Sequence, residues 1–149
     1  MRLPLVILSL IFPVFVLGGG LPASIVKRLH LQPKKVYVID FFASWCVSCK
    51  KEIPQLARLN RSLNHSRYEI IGVDADRKRS DGVKFQAALR KKGALNFRVV
   101  NDTSNAIIRT FGPPGMPALY IVKNNAIVGT IIGARSHIGS LVRRRLKGL

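Results

Sequence analysis

Two cysteines, Cys46 and Cys49, are the residues of this chain best suited to redox chemistry. They are the only cysteines among 149 residues, and two residues separate them. The apolar, β-branched and aromatic run from Val36 to Phe42 predicts a buried strand just before them. Apolar residues then recur at roughly helical spacing, which predicts an amphipathic helix over 46–63. The pair is therefore expected where a strand leads into the N-terminus of a helix.

That position has chemical consequences for both thiols. Unpaired N–H groups and the helix dipole place partial positive charge at the first helical turn. A thiolate is stabilised there, and the thiolate is the nucleophile of disulfide exchange. We expect Cys46 to be the more exposed, attacking sulfur and Cys49, one turn later, to be the buried resolving sulfur. Lys50 and Lys51 add positive potential nearby.

Other interpretations of the pair are less favoured. A structural zinc site needs a second pair of ligands, and only the widely spaced His30, His65 and His137 are available. A purely structural disulfide would close a very short loop, so it would remove little entropy from the unfolded chain. We therefore predict redox chemistry and no bound metal.

The segment 40–50, D-F-F-A-S-W-C-V-S-C-K, resembles the active-site segment of thioredoxins. Pro54, eight residues after Cys46, resembles the proline that kinks this helix in the family. The resemblance extends over about residues 34–149. An additional strand–helix unit between Tyr68 and Thr110 is similar to the TlpA/ResA branch of thioredoxin-like proteins of bacterial envelopes.

The predicted order of elements, β-α-β-α-β-α-β-β-α, indicates an α/β protein with a mixed central sheet and helices on both faces. The resemblance implies the thioredoxin fold, with an extra central strand–helix insertion. Asn124 and Asn125 are expected to form a hairpin turn, because Asn tolerates positive φ. Ser136 is the expected N-cap of the last helix.

The resemblance also implies roles for residues around the cysteine pair. Asp40, if it is buried beneath the pair, would have its pKa raised by desolvation and could accept the proton of Cys49 through water. Trp45 would shield the site and offer an apolar contact to substrates. Three further residues would tune the redox potential: Val47, Ser48 and Lys50.

Met116 and Pro117 form a second candidate segment. From the sequence alone, Pro117 is a proline before a strand. The resemblance implies that its peptide bond is cis and that it faces the cysteines. The backbone of Met116 would then be free to pair with an extended substrate, as in β-augmentation.

Charge is the unusual feature of the composition. The chain has 25 Lys and Arg against 7 Asp and Glu, a net charge of +18. We favour a highly soluble basic surface, followed by attraction to an anionic membrane surface or an acidic partner. Nucleic acid is not an expected partner, because the chain has no recognisable nucleic-acid-binding motif and 7% of its residues are aromatic.

The N-terminus has the arrangement of a secretory signal. Arg2 precedes an apolar run over 3–17 and a Gly triplet at 18–20. Residues 1–20 are predicted to be a cleaved signal peptide or, alternatively, a membrane anchor over 3–20. Residues 21–33 would form a connector, with a short helix that Ser24 caps, and residues 34–149 the thioredoxin-like domain. We expect a periplasmic location in the cell envelope.

The predicted function is thiol:disulfide oxidoreductase. The chain would reduce disulfides of envelope proteins, with cytochrome c maturation as one such role, and the Cys46–Cys49 disulfide would be its only redox group. A membrane electron-relay reductase is the donor that the resemblance implies. Two alternatives remain open: a copper-handling binding module, since soft thiolates favour Cu(I), and an oxidase that introduces disulfides.

Overall fold

The computed structural model describes residues 19–149, so the predicted signal or anchor lies almost entirely outside it. The described strands are β1 (Val36–Phe42), β2 (Tyr68–Asp74), β3 (Arg98–Asn101), β4 (Ala118–Lys123) and β5 (Ala126–Ile132). The described helices are α1 (Ala23–Leu29), α2 (Val47–Asn60), α3 (Arg79–Lys91), α4 (Ala106–Phe111) and α5 (Ile138–Leu146). None of these helices is long and apolar enough to cross a membrane.

The strands form one mixed sheet in the order β3-β2-β1-β4-β5. Strands β1, β2 and β3 are parallel, whereas β4 is antiparallel to β1 and β5 is antiparallel to β4. This arrangement confirms the predicted α/β class with a mixed sheet. The strand of the predicted insertion is β3, and it pairs with β2 at the edge of the sheet although its place in the sequence is central.

Two apolar clusters, one on each face of the sheet, form the core. Because side chains alternate along a strand, Val38 and Phe42 of β1 pack with α2 and α5 on one face. Tyr37, Ile39 and Phe41 pack on the other face with α1 and α4. Asp40 belongs to the first face by the same alternation. The sheet therefore places Asp40 on the side that α2 covers.

Several predicted boundaries need correction. Helix α2 ends at Asn60 and not at residue 63, and Cys46 is its N-cap. The N-cap of α5 is His137 and that of α1 is Pro22, so Ser136 and Ser24 do not have the predicted capping roles. The predicted hairpin turn is confirmed, with positive φ at both Asn residues, Asn124 (50°) and Asn125 (60°).

Candidate active site

Cys46 and Cys49 form a disulfide at the start of α2, with their Cα atoms 5.3 Å apart. That distance lies within the usual range for a disulfide. The backbone N–H of Cys49 donates to Cys46 Sγ at 3.2 Å, so the sulfur occupies the N-cap position of the helix. Cys46 is 6% exposed and Cys49 is 1% exposed. The predicted order of exposure is confirmed, although both residues are buried.

A groove opens at Trp45, the residue that precedes Cys46. Its volume is about 630 Å³, and Trp45 and Met116 lie in its wall. Trp45 is 67% exposed, which suits an apolar contact surface for another molecule. The Met116–Pro117 peptide bond is cis, as the resemblance implied. The backbone of Met116 makes no hydrogen bond with other residues in 19–149, so it is free to pair with an extended chain.

Asp40 lies in the apolar core on the face that α2 covers. It is 1% exposed, and neither of its carboxylate oxygens has a hydrogen-bond partner among the described residues. Desolvation by burial raises the pKa of Asp40 well above its usual value, and the nearby charge of Glu52 raises it further. A protonated carboxyl group can therefore persist here at a pH at which an exposed aspartate is ionised.

Glu52 is the site residue that the sequence analysis missed. A charged residue in an amphipathic helix is expected on the polar face, yet Glu52 is 4% exposed. Its spacing could have predicted this burial. Glu52 lies three residues after Cys49 and four before Leu56, so the three residues share one face of the helix. Desolvation raises the pKa of Glu52 from 4.5 to about 7, while Arg135 acts in the opposite direction.

Glu52 also has a route to solvent. It lies in the wall of a second cavity of about 330 Å³, together with Ser48 and Arg135. Glu52 is close enough to Asp40 for its charge to raise the pKa of that carboxyl group, so the two acids are electrostatically linked. Of the two, Glu52 is the one that borders a cavity, where it can exchange a proton with water.

A second unpredicted feature holds the strand–helix loop in place. Asp76 accepts a hydrogen bond from the backbone N–H of Ser44 at 2.8 Å and another from the Ser44 hydroxyl at 2.9 Å. Its own backbone N–H donates to Asp74, whose carboxylate also accepts from Gln86 at 2.7 Å. This network links α3 to the residue that precedes Trp45.

Replacing Asp76 with Ala should lower the free energy of unfolding by about 2 kcal/mol. The change removes two hydrogen bonds to a charged acceptor and leaves the Ser44 N–H unpaired. Urea denaturation measures the loss. Asp81→Ala is the matched control, because Asp81 is exposed and makes no side-chain hydrogen bond with the described residues. Equal losses in the two variants would contradict this role for Asp76.

The remaining predicted residues surround the disulfide. Val47 is 66% exposed, and Ser48 faces the second cavity. Lys50 Nζ lies 5.7 Å from the centroid of the Phe85 ring, a cation–π contact. Their tuning roles stay predictions. Within residues 19–149, no group of three or more His, Cys, Asp or Glu side chains is arranged to hold a metal ion.

Comparisons with known proteins agree with this geometry. Thiol-disulfide oxidoreductase ResA of Bacillus anthracis is 30% identical over 112 residues, which are 74% of this chain and 62% of the relative. The chain thus spans about three fifths of the length of the ResA relatives that it matches.

Two solved structures share the fold. One is a putative thiol:disulfide interchange protein DsbE from Chlorobium tepidum, with a TM-score of 0.71, 21% identity and coverage of 87% of this chain and 91% of that one. The other is a secreted Mycobacterium tuberculosis disulfide oxidoreductase described as homologous to E. coli DsbE. It has a TM-score of 0.63, 21% identity and coverage of 78% and 83%.

The family model described as AhpC/TSA family matches residues 24–131, which include the cysteine pair, the buried acids and the cis-proline segment. Together with the ResA relatives, this match confirms the resemblance to ResA-type thioredoxin-like proteins. The chain belongs to the AhpC/TSA family of thioredoxin-like proteins.

Proposed function

We propose that this chain is a thiol:disulfide oxidoreductase that reduces disulfide bonds of extracytoplasmic proteins through Cys46 and Cys49. The observation that carries the proposal is the disulfide at the N-terminus of α2, beside an open groove and on the sheet face that holds a buried, unpaired carboxyl group. The ResA relative is named for the same reaction class.

The reaction begins from the dithiol form. The Cys46 thiolate attacks one sulfur of the substrate disulfide, forms a mixed disulfide and expels the other substrate sulfur as a thiolate. The Cys49 thiolate then attacks Cys46 Sγ and expels the second substrate sulfur. The Cys46–Cys49 disulfide forms, and two electrons have moved from the cysteine pair to the substrate.

Two features assist the first step. At the N-cap position Cys46 Sγ accepts a hydrogen bond from the Cys49 N–H, and the positive end of a helix stabilises a thiolate. Trp45 and the free backbone of Met116 in the groove would hold the substrate strand in line with that sulfur.

The buried acids assist the second step. Asp40 accepts the proton of Cys49 as that thiol becomes a nucleophile. Glu52 then exchanges the proton with water in the second cavity. A carboxyl group with a pKa of about 7 is well matched to this exchange near neutral pH, because both of its protonation states are populated.

The cellular setting belongs to the same proposal. Residues 3–17 form an apolar run, and the similar M. tuberculosis protein is described as secreted. Residues 1–20 would direct the chain to the envelope. Residues 21–33 would connect that segment to the domain, and residues 34–149 would carry the activity. A membrane electron-relay reductase would return the disulfide to the dithiol, and envelope proteins, including those of cytochrome c maturation, would be substrates.

The reduction potential of the cysteine pair tests the proposal. We expect equilibration with glutathione to give a value near or below about −200 mV, in the range of glutaredoxins and thioredoxin. A value near about −120 mV would instead make the chain a disulfide donor. A pair that does not cycle between dithiol and disulfide would overturn the redox function.

A further inference from the structure

Acidic residues are distributed very unevenly between the two ends of this domain. Six of the seven acids lie in the half that carries the cysteine pair, in or after the C-terminal halves of β1, β2 and β3 or in the N-terminal halves of α2 and α3: Asp40, Glu52, Asp74, Asp76, Asp81 and Asp102. Glu69, near the start of β2, is the exception. It is already paired, with Lys35 and Arg98.

The opposite end is therefore almost purely basic. Helices α2, α3 and α5 all finish there, next to the starts of β1 and β2, and we call this surface the basic end. Its exposed cations are Arg61 and Arg67 around the end of α2, Lys91 and Lys92 at the end of α3, and Arg143, Arg144, Arg145 and Lys147 at the end of α5.

Contacts between chain segments show that these cations share one surface. The Arg61 guanidinium donates to the backbone carbonyl of Gly93, directly after α3. The Arg143 guanidinium donates to the Ser62 hydroxyl, directly after α2. The Tyr68 hydroxyl donates to the Leu146 carbonyl at 3.3 Å, which brings the end of α5 to the start of β2.

The chain also enters the domain at the basic end. The backbone N–H of Leu21 donates to the Asn125 carbonyl at 2.7 Å, in the turn between β4 and β5. That turn follows Lys123, which pairs with Val36 at the start of β1. The described chain, which follows the apolar run over 3–17 in the sequence, thus begins at the basic end.

We propose that the basic end docks on a bilayer containing anionic phospholipid, so that Cys46 and Cys49 face away from the lipid. Lys and Arg side chains close to an anionic bilayer attract it additively, and the attraction acts within a Debye length of the surface. Asp76, Asp81 and Asp102 in the other half would reduce the attraction of that half to lipid, whereas Asp40 adds nothing when its carboxyl group is protonated. The apolar run precedes Leu21 in the sequence, and Leu21 lies at this end, which favours lipid over an acidic protein as the occupant.

This inference rests on the envelope location given in the proposed function, because only there would the domain lie next to a bilayer. It does not depend on the redox activity. Docking in this orientation would leave the groove beside Trp45 open to substrates in the aqueous compartment, while the tether and the cations restrain the rest of the domain.

Energy transfer to dansyl-labelled lipid tests the orientation in the full chain, since Trp45 is its only tryptophan. Trp45 reports on the cysteine end, and His65→Trp in a Trp45→Phe background reports on the basic end, because His65 is exposed between Arg61 and Arg67. We expect transfer from residue 65 to rise about twofold when about 30% phosphatidylglycerol is added to phosphatidylcholine vesicles. About 0.5 M NaCl should remove the rise, because the Debye length is then below about 5 Å. Transfer from Trp45 should not rise.

Neutralisation at each end supplies the matched controls. Arg144→Gln/Arg145→Gln/Lys147→Gln should abolish the rise for residue 65, whereas Arg77→Gln/Lys78→Gln/Arg79→Gln, which also removes three charges, should retain it. The inference is overturned if transfer is the same in both lipid mixtures, if Trp45 shows the larger rise, or if both triple variants act alike. The glutathione equilibration is independent of these measurements, so failure of the docking and failure of the redox function can be told apart.

Discussion

Cys46→Ser should abolish disulfide reduction, and Cys49→Ser should trap a covalent complex with the substrate. The first change removes the attacking sulfur at the N-cap of α2, so activity should fall about a thousandfold or more, as for loss of other catalytic nucleophiles. The second change leaves the attack intact but removes the thiol that resolves the mixed disulfide. An insulin-reduction assay measures the first effect, and mass spectrometry of non-reduced samples detects the second.

The double variant Cys46→Ser/Cys49→Ser gives the background for both measurements. Circular dichroism should show an unchanged fold in all three variants, since Ser replaces Cys with little change in volume and the apolar clusters retain their other members. An adduct on Cys46→Ser, with none on Cys49→Ser, would reverse the assigned roles. Substantial reductase activity in the double variant would remove the cysteine pair from the mechanism.

The buried acids should make the protein less stable as the pH rises towards neutrality. The pKa of Glu52 is about 7 in the folded state against 4.5 as a model value, so the folded state holds more protons between these two values. The stabilisation from the protonated carboxyl group is fully present below about pH 4.5 and is lost as the pH rises through 7. The raised pKa of Asp40 likewise lowers the stability of the fold as the pH rises.

Glu52→Gln should therefore stabilise the protein at pH 8 and not at pH 4. Above pH 7 the pKa difference between the folded and unfolded states lowers the free energy of unfolding by about 3 kcal/mol. Gln removes this loss, but its buried, unpaired amide costs about 1 kcal/mol. We therefore expect the free energy of unfolding to rise by about 2 kcal/mol. Urea denaturation at both pH values measures the difference. Glu69→Gln is the control, because Glu69 is only partly buried and is paired with cations at the basic end. A gain that is equal at both pH values would contradict the assignment.

The same acids should control the rate of the second chemical step. Asp40→Asn should slow release of the mixed disulfide by about a hundredfold near neutral pH, the usual contribution of a positioned general base. The rate should recover as the pH rises, because hydroxide then removes the proton of Cys49. Stopped-flow measurement of Trp45 fluorescence would follow this step, since Trp45 adjoins Cys46. A rate that is insensitive to the substitution would exclude Asp40 as the proton acceptor.

Local patterns in the chain are enough to predict several of its elements. An apolar β-branched run followed by helical periodicity placed Cys46 and Cys49 at a strand–helix junction, and the structure has them there. The paired Asn124 and Asn125 specified the hairpin turn, because few other residues adopt positive φ easily. These features depend on residues that are neighbours in the chain, so periodicity and backbone preference are sufficient to predict them.

The burial of polar residues, by contrast, depends on contacts between segments that are distant in the chain. Glu52 has a charged side chain, which in a helix usually faces solvent. Its burial depends on what packs over its face of α2. The two hydrogen bonds from Ser44 to Asp76 join residues 32 positions apart, and no local pattern encodes that pairing. The uneven distribution of acids also depends on the fold, because parallel strands bring six acids that are distant in the chain into one half of the domain. Burial, pKa and surface potential are properties of groups close in space, and the fold alone brings those groups together.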